Sequence, residues 1–107
     1  MSDKGQKNDK GKNMISLIDV GFLEELGKVL THGARIYSAN NWRKFKPFYD
    51  EEEKERLCSA MLRHYVKAYK GEIFDKDSGE DCLIHWAQIA FYAMVMTAKT
   101  LEYMEEI

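Results

Sequence analysis

Two histidines flank a short acidic loop. His64 precedes and His85 follows residues 71–79, which carry Glu72, Asp75 and Asp77, with Glu80 and Asp81 just beyond. Carboxylate oxygens suit Mg²⁺ or Mn²⁺, and added imidazole nitrogens favour Mn²⁺, Fe²⁺ or Zn²⁺. The same imidazoles can donate hydrogen bonds to an anionic ligand. A structural account competes with this one. Buried histidines often only satisfy hydrogen bonds, and acidic residues in a turn cap the helix that follows, near the positive end of its dipole.

A second group of residues suits a nucleotide. Tyr37 and Trp42 can stack on a base, and Lys12, Arg43 and Arg63 can contact phosphates. Their structural alternatives are an aromatic cover over the end of a helical bundle and solvated surface charge. His32 is followed by Gly33, which permits either close packing or the approach of a ligand to the backbone.

Three helices must position these groups. Over residues 17–39, Leu23, Leu26, Leu30, Ala34 and Tyr37 recur at the spacing of one helix face, and Ser16 or Asp19 can cap the start. Residues 40–49, with the chain's single proline, Pro47, predict a connecting loop. Asp50 followed by Glu53 resembles a capping box, and Leu57, Met61, His64 and Ala68 then share a face up to the terminator Gly71. Residues 79–105 predict a third helix, apolar on most sides, with Asp81, His85, Gln88 and Tyr92 on one polar stripe. A short connection makes the second and third helices antiparallel, which brings His64 and His85 to the end that holds the acidic loop.

These patterns predict an all-α fold: a small antiparallel bundle of three main helices, completed by oligomerisation because the core is thin for 107 residues. Residues 1–13, all small, polar or charged but for Met1, predict a flexible N-terminal segment ahead of a single domain over 14–107. Sixteen basic against eighteen acidic side chains offer no basic excess for a nucleic-acid partner. No apolar run is long enough for a membrane partner. Cys58 and Cys82 fit buried free thiols in a reducing compartment, so the expected location is cytoplasmic.

Read in order, Asp9-Lys10-Gly11-Lys12, Val29-Leu30-Thr31-His32-Gly33-Ala34-Arg35-Ile36-Tyr37, Asn41-Trp42, Arg63-His64, Gly71-Glu72, Asp75, Asp77-Ser78-Gly79 and Leu83-Ile84-His85-Trp86-Ala87 form a set of separated signatures. The set resembles the small phage and prophage proteins called dATP/dGTP diphosphohydrolase-like. These are usually related to the all-α MazG-type nucleoside triphosphate pyrophosphohydrolases.

The resemblance implies hydrolysis of a purine deoxynucleoside triphosphate to the monophosphate and pyrophosphate, with Mg²⁺ or Mn²⁺, in a bacterial host's cytoplasm. It implies catalytic roles for His64, Glu72 and His85, metal ligation by Glu72, Asp75 and Asp77, and nucleotide contacts from Lys12, Tyr37, Asn41, Trp42 and Arg63. The expected partners are a purine nucleotide and further copies of the chain. MazG-type enzymes carry paired Glu-x-x-Glu and Glu-x-x-Asp motifs, whereas Glu24 and Glu25 here are adjacent, and Cys82 stands where a first histidine of a His-x-x-His pair is expected. That departure motivates a second hypothesis: a phage protein that binds a nucleotide or cyclic nucleotide without cleaving it and so counters host defence. In a third, structural reading the polar stripe only fixes the register of an oligomer.

Overall fold

The polar caps foreseen in the sequence start two of the three main helices. The computed structural model describes residues 11–107. Its helices are α1 (Val20–Ile36), α2 (Glu51–Tyr69) and α3 (His85–Glu106), with short 3-10 turns at Ile15–Leu17, Asn41–Lys44 and Lys76–Asp81. The Asp19 carboxylate accepts from the Phe22 amide at 2.8 Å and starts α1. Asp50 accepts from the amides of Glu52 and Glu53 and starts α2. The return half of a capping box does not form, because the Glu53 carboxylate accepts from the Lys46 amide instead. Among the described residues the one bridge between extended segments joins Phe74 and Ile84, so the fold is all-α as expected.

The helices α2 and α3 run antiparallel. At one end the His64 and His85 rings meet, and at the other Phe48 and Tyr49, just before α2, pack on Tyr103 near the end of α3. The floor of the bundle is α3, which lies against both α2 and α1, while α1 and α2 scarcely touch. Burial of apolar area, the main favourable term in folding, is concentrated in two small clusters. One is Val29, Leu83 and Ala87; the other is Trp42, Leu57 and Val95, and Phe91 packs against both.

Several sequence expectations need correction. The third helix begins at His85 rather than residue 79, because Gly79 (φ 62°) and Cys82 (φ 47°) adopt left-handed backbone that no α-helix contains. Asp81 therefore leaves the stripe of His85, Gln88 and Tyr92. The first helix spans Val20–Ile36 rather than 17–39, so Tyr37 falls just beyond it, and both Leu23 and Tyr37 are exposed. Cys82 is exposed and Cys58 partly buried, although both are free thiols as expected. Of the segment 1–13, residues 1–10 lie outside the described residues, and 11–13 are exposed. No helix among the described residues is long and apolar enough to cross a membrane.

Candidate functional site

The segment between α2 and α3 is stitched into a rigid staple that sets the positions of Asp75 and His85. Gly71, at φ 100°, turns the chain out of α2 in a conformation that favours glycine. Asp75 N–H then donates to Leu83 O at 2.8 Å, and His85 N–H to Ile73 O at 3.1 Å. Inside this fold-back the buried Ser78 hydroxyl donates to Asp75 O at 2.6 Å and accepts from Leu83 N–H at 2.9 Å. The staple brings the acidic loop under the first turn of α3.

Around it the side chains form a continuous chain of contacts. Glu72 Oε2 lies 2.5 Å from His85 Nε2, and His85 Nδ1 lies 2.9 Å from His64 Nδ1. An ionised carboxylate only accepts, which assigns a proton to His85 Nε2, while of the two facing Nδ1 atoms one donates and the other accepts. Asp75 Oδ1 accepts from the Asp77 amide and Oδ2 from Gln88 Nε2, both at 3.0 Å. His85 is fully buried, and Asp75 and Gln88 nearly so. Donor atoms of His64, Asp75 and His85 all lie within 4.8 Å of one another, close enough to hold one metal ion.

The electrostatics follow from this geometry. Burial pushes the His64 imidazole below its ordinary value, with Asp75 opposing the shift. Burial would raise the Asp75 carboxyl, but hydrogen bonds from Gln88 and the Asp77 amide, together with the two imidazoles, outweigh it and leave the group below its usual range. The hydrogen bond from His85 likewise lowers Glu72. Burial raises the Tyr92 phenol, whose ring stacks on His64 at 6.2 Å.

A cleft of about 860 Å³ opens beside this cluster, between α1 and α2 and over α3. His64 and Gln88 belong to its wall, as do Tyr37, Asn41, Trp42, Arg63 and two further arginines, Arg43 and Arg56. Asp81 binds α1, with His32 Nδ1 at 2.6 Å and Arg35 Nη2 at 2.5 Å from the same carboxylate oxygen. Both contacts lower the Asp81 carboxyl, the His32 hydrogen bond most.

Of the predicted catalytic set, His64, Glu72 and His85 come together. Of the predicted metal set, Asp75 joins the cluster and Glu72 touches it through His85, whereas Asp77 is exposed and contributes its amide rather than its carboxylate. Of the nucleotide set, Tyr37, Asn41, Trp42 and Arg63 line one cleft; Lys12 is exposed and is not among the residues lining it. Trp42 is also a core residue, 9 % exposed, with Arg43 over its ring at 4.4 Å, so most of its surface already serves packing. Sequence reasoning missed Arg56 and the orphaned Gln88 Oε1, a buried acceptor with no hydrogen-bond partner. The signal for Arg56 was its seven-residue spacing from Arg63, two turns along the same face of α2.

Comparison with known proteins adds an independent line. The family model described as "dATP/dGTP diphosphohydrolase, N-terminal" matches residues 2–106. A protein named dATP/dGTP diphosphohydrolase from Salmonella phage PMBT28 is 37 % identical over 75 residues, which cover 70 % of this chain and 23 % of that protein. The chain thus spans about a quarter of the length of the relative it matches. No solved structure matches it.

Proposed function

Because the chain belongs to the dATP/dGTP diphosphohydrolase N-terminal family, we propose that it hydrolyses a purine deoxynucleoside triphosphate to the monophosphate and pyrophosphate. The observation that carries this reading is the junction of two features. A cleft of about 860 Å³, within the range of about 300–1,000 Å³ for small-molecule sites, ends on a buried cluster of two imidazoles and a carboxylate. The name of the phage relative supplies the substrate class.

In this reading Tyr37 and Asn41, at the α1 side of the cleft, hold the base by stacking and edge hydrogen bonds. Arg56 and Arg63 neutralise phosphate oxygens, Arg63 being the neighbour of His64 and so nearest the reacting end. His64, half-buried on the cleft wall and pushed below its ordinary pKa by burial, is placed to orient an attacking water by a hydrogen bond to its imidazole. Glu72 holds the His85 ring, which in turn orients His64. A divalent cation, Mg²⁺ or Mn²⁺, would supply charge neutralisation at the phosphates.

The reading includes self-association in a bacterial host's cytoplasm. Met14, Ile15, Leu17, Ile18, Val20, Phe22 and Leu23 are all exposed at the start of the described chain, an apolar stretch that a second copy would cover. One observation favours the alternative of binding without cleavage: both carboxylates near the imidazoles are already engaged, Glu72 by His85 and Asp75 by Gln88 and the Asp77 amide.

Pyrophosphate release from each of the four dNTPs, measured with Mg²⁺ and with Mn²⁺, tests the proposal. Release from dATP or dGTP is the expected result. Release from none of the four overturns hydrolysis, and intact triphosphate recovered from the heat-denatured complex would establish the binding alternative.

A further inference from the structure

We propose that His64, Asp75 and His85 form a resident site for one divalent first-row transition metal of the Mn²⁺, Fe²⁺ or Co²⁺ kind, distinct from any Mg²⁺ that accompanies a triphosphate. The metal's use in catalysis rests on the proposed function; its binding does not.

Three observations carry the assignment. The first is the donor set, two imidazoles and one carboxylate within 4.8 Å of one another. Such a set leaves coordination positions open for water or phosphate, and its nitrogen donors disfavour Mg²⁺, which prefers oxygen ligands.

The second is geometry. The two Nδ1 atoms are 2.9 Å apart. With metal–nitrogen bonds of about 2.1 Å, neighbouring ligands at a right angle stand about 3.0 Å apart, and tetrahedral ones about 3.4 Å. The spacing therefore fits an octahedral ion better than a tetrahedral zinc site. Binding requires the proton between the two Nδ1 atoms to leave; where His64 carries it, a change of tautomer that protonates Nε2 frees Nδ1 with no net proton lost.

The third is the surrounding support. Glu72 accepts from His85 Nε2 at 2.5 Å, the carboxylate–histidine arrangement that fixes a metal-binding imidazole with Nδ1 free to ligate. Gln88 Nε2 orients Asp75 through Oδ2 at 3.0 Å, while the buried Oε1 of the same side chain has no donor. A water bound to the metal would supply that missing proton.

Mn²⁺ titrated into the chelator-treated full chain without nucleotide, and followed by EPR, tests the site. The expected result is one Mn²⁺ per chain that roughly hundredfold Mg²⁺ fails to displace. Imidazole ¹⁴N couplings should appear in the pulsed spectrum of the wild type. Glu72→Gln should weaken binding about 10–100-fold at unchanged stoichiometry. His64→Asn, a change at a half-buried position, should abolish the metal-induced rise in melting temperature. Absent ¹⁴N couplings, displacement by Mg²⁺, or His64→Asn binding as the wild type does would each overturn the assignment. Mn²⁺ binding without pyrophosphate release sinks the hydrolase and leaves the metal site; release with Mg²⁺ and no imidazole coupling does the reverse.

Discussion

Ser78 is where the local fold and the candidate site can be tested together. Its hydroxyl donates to Asp75 O at 2.6 Å and accepts from Leu83 N–H at 2.9 Å, and both Ser78 and Leu83 are buried. In Ser78→Ala the Asp75 carbonyl keeps a donor, the Ser78 amide at 3.0 Å. The Leu83 amide keeps none and lies too deep for water. An orphaned buried donor costs about 1–3 kcal/mol, so the variant should lose about 2 kcal/mol of stability. At about 4–8 °C per kcal/mol for a domain of this size, its melting temperature should fall by about 8–16 °C. Because Leu83 O also receives the Asp75 amide at 2.8 Å, loosening this turn shifts Asp75 against His85. Differential scanning calorimetry measures the first effect and Mn²⁺ affinity the second. A melting temperature within about 2 °C of wild type, within the noise expected of a neutral surface change, would refute the claim that the staple is held by this hydroxyl.

Arg63→Ala should raise the Kd for dATP or dGTP about 10–100-fold, the range for a lost charge-assisted hydrogen bond, with an unchanged melting temperature; titration calorimetry reads both claims against Asp77→Ala, which should change neither. Burial holds the His64 pKa below its ordinary 6.5, so the unfolded chain takes up a proton first as pH falls. Stability is therefore full above about pH 6.5 and erodes as pH drops from there towards the lowered folded value, and a melting series from pH 7.5 to 5.5 should show this slope in the wild type and a flatter one in His64→Gln. Asp81 acts in the same direction at lower pH: its carboxyl is lowered from 3.8, chiefly by the His32 hydrogen bond, so its stabilisation is present above that pH and lost below it as the folded value is crossed. Asp81→Asn should accordingly lower the melting temperature at pH 7 and progressively less below pH 4. Light scattering should give a mass of at least two chains of 12.5 kDa, and replacing exposed Leu17 and Phe22 by lysine should return the monomer.

The helices were legible because their signals are local. Asp19 and Asp50 cap as their types predict, and Leu57 and His64 share the inward face of α2 that their spacing required. The meeting of His64 and His85 followed from a short connection between antiparallel helices. What sequence could not give was the path of that connection. Asp81 through Ile84 have helix-compatible types, yet left-handed backbone at Gly79 and Cys82 and long-range hydrogen bonds from Asp75 and Ser78 override local preference. The same non-local bonding decided which acids matter: Asp75 and Asp77 look equivalent in sequence, but only Asp75 turns inward to Gln88. Trp42 shows the complementary case, an aromatic beside the cleft whose surface is mostly spent on Leu57 and Val95. Arg56 escaped notice because its seven-residue spacing from Arg63 is a weak signal on a charged helix face until α1 builds the opposite wall of the cleft.

In the proposed function this cleft turns over a purine deoxynucleotide rather than merely holding it. A single-turnover reaction, with the chain in excess over dGTP or dATP and metal present, followed by mass spectrometry of everything released on heating, tests it most directly even if the chemistry is slow. Monophosphate and pyrophosphate are expected in equal amounts, and neither from His64→Asn. Intact triphosphate at every time point would contradict it.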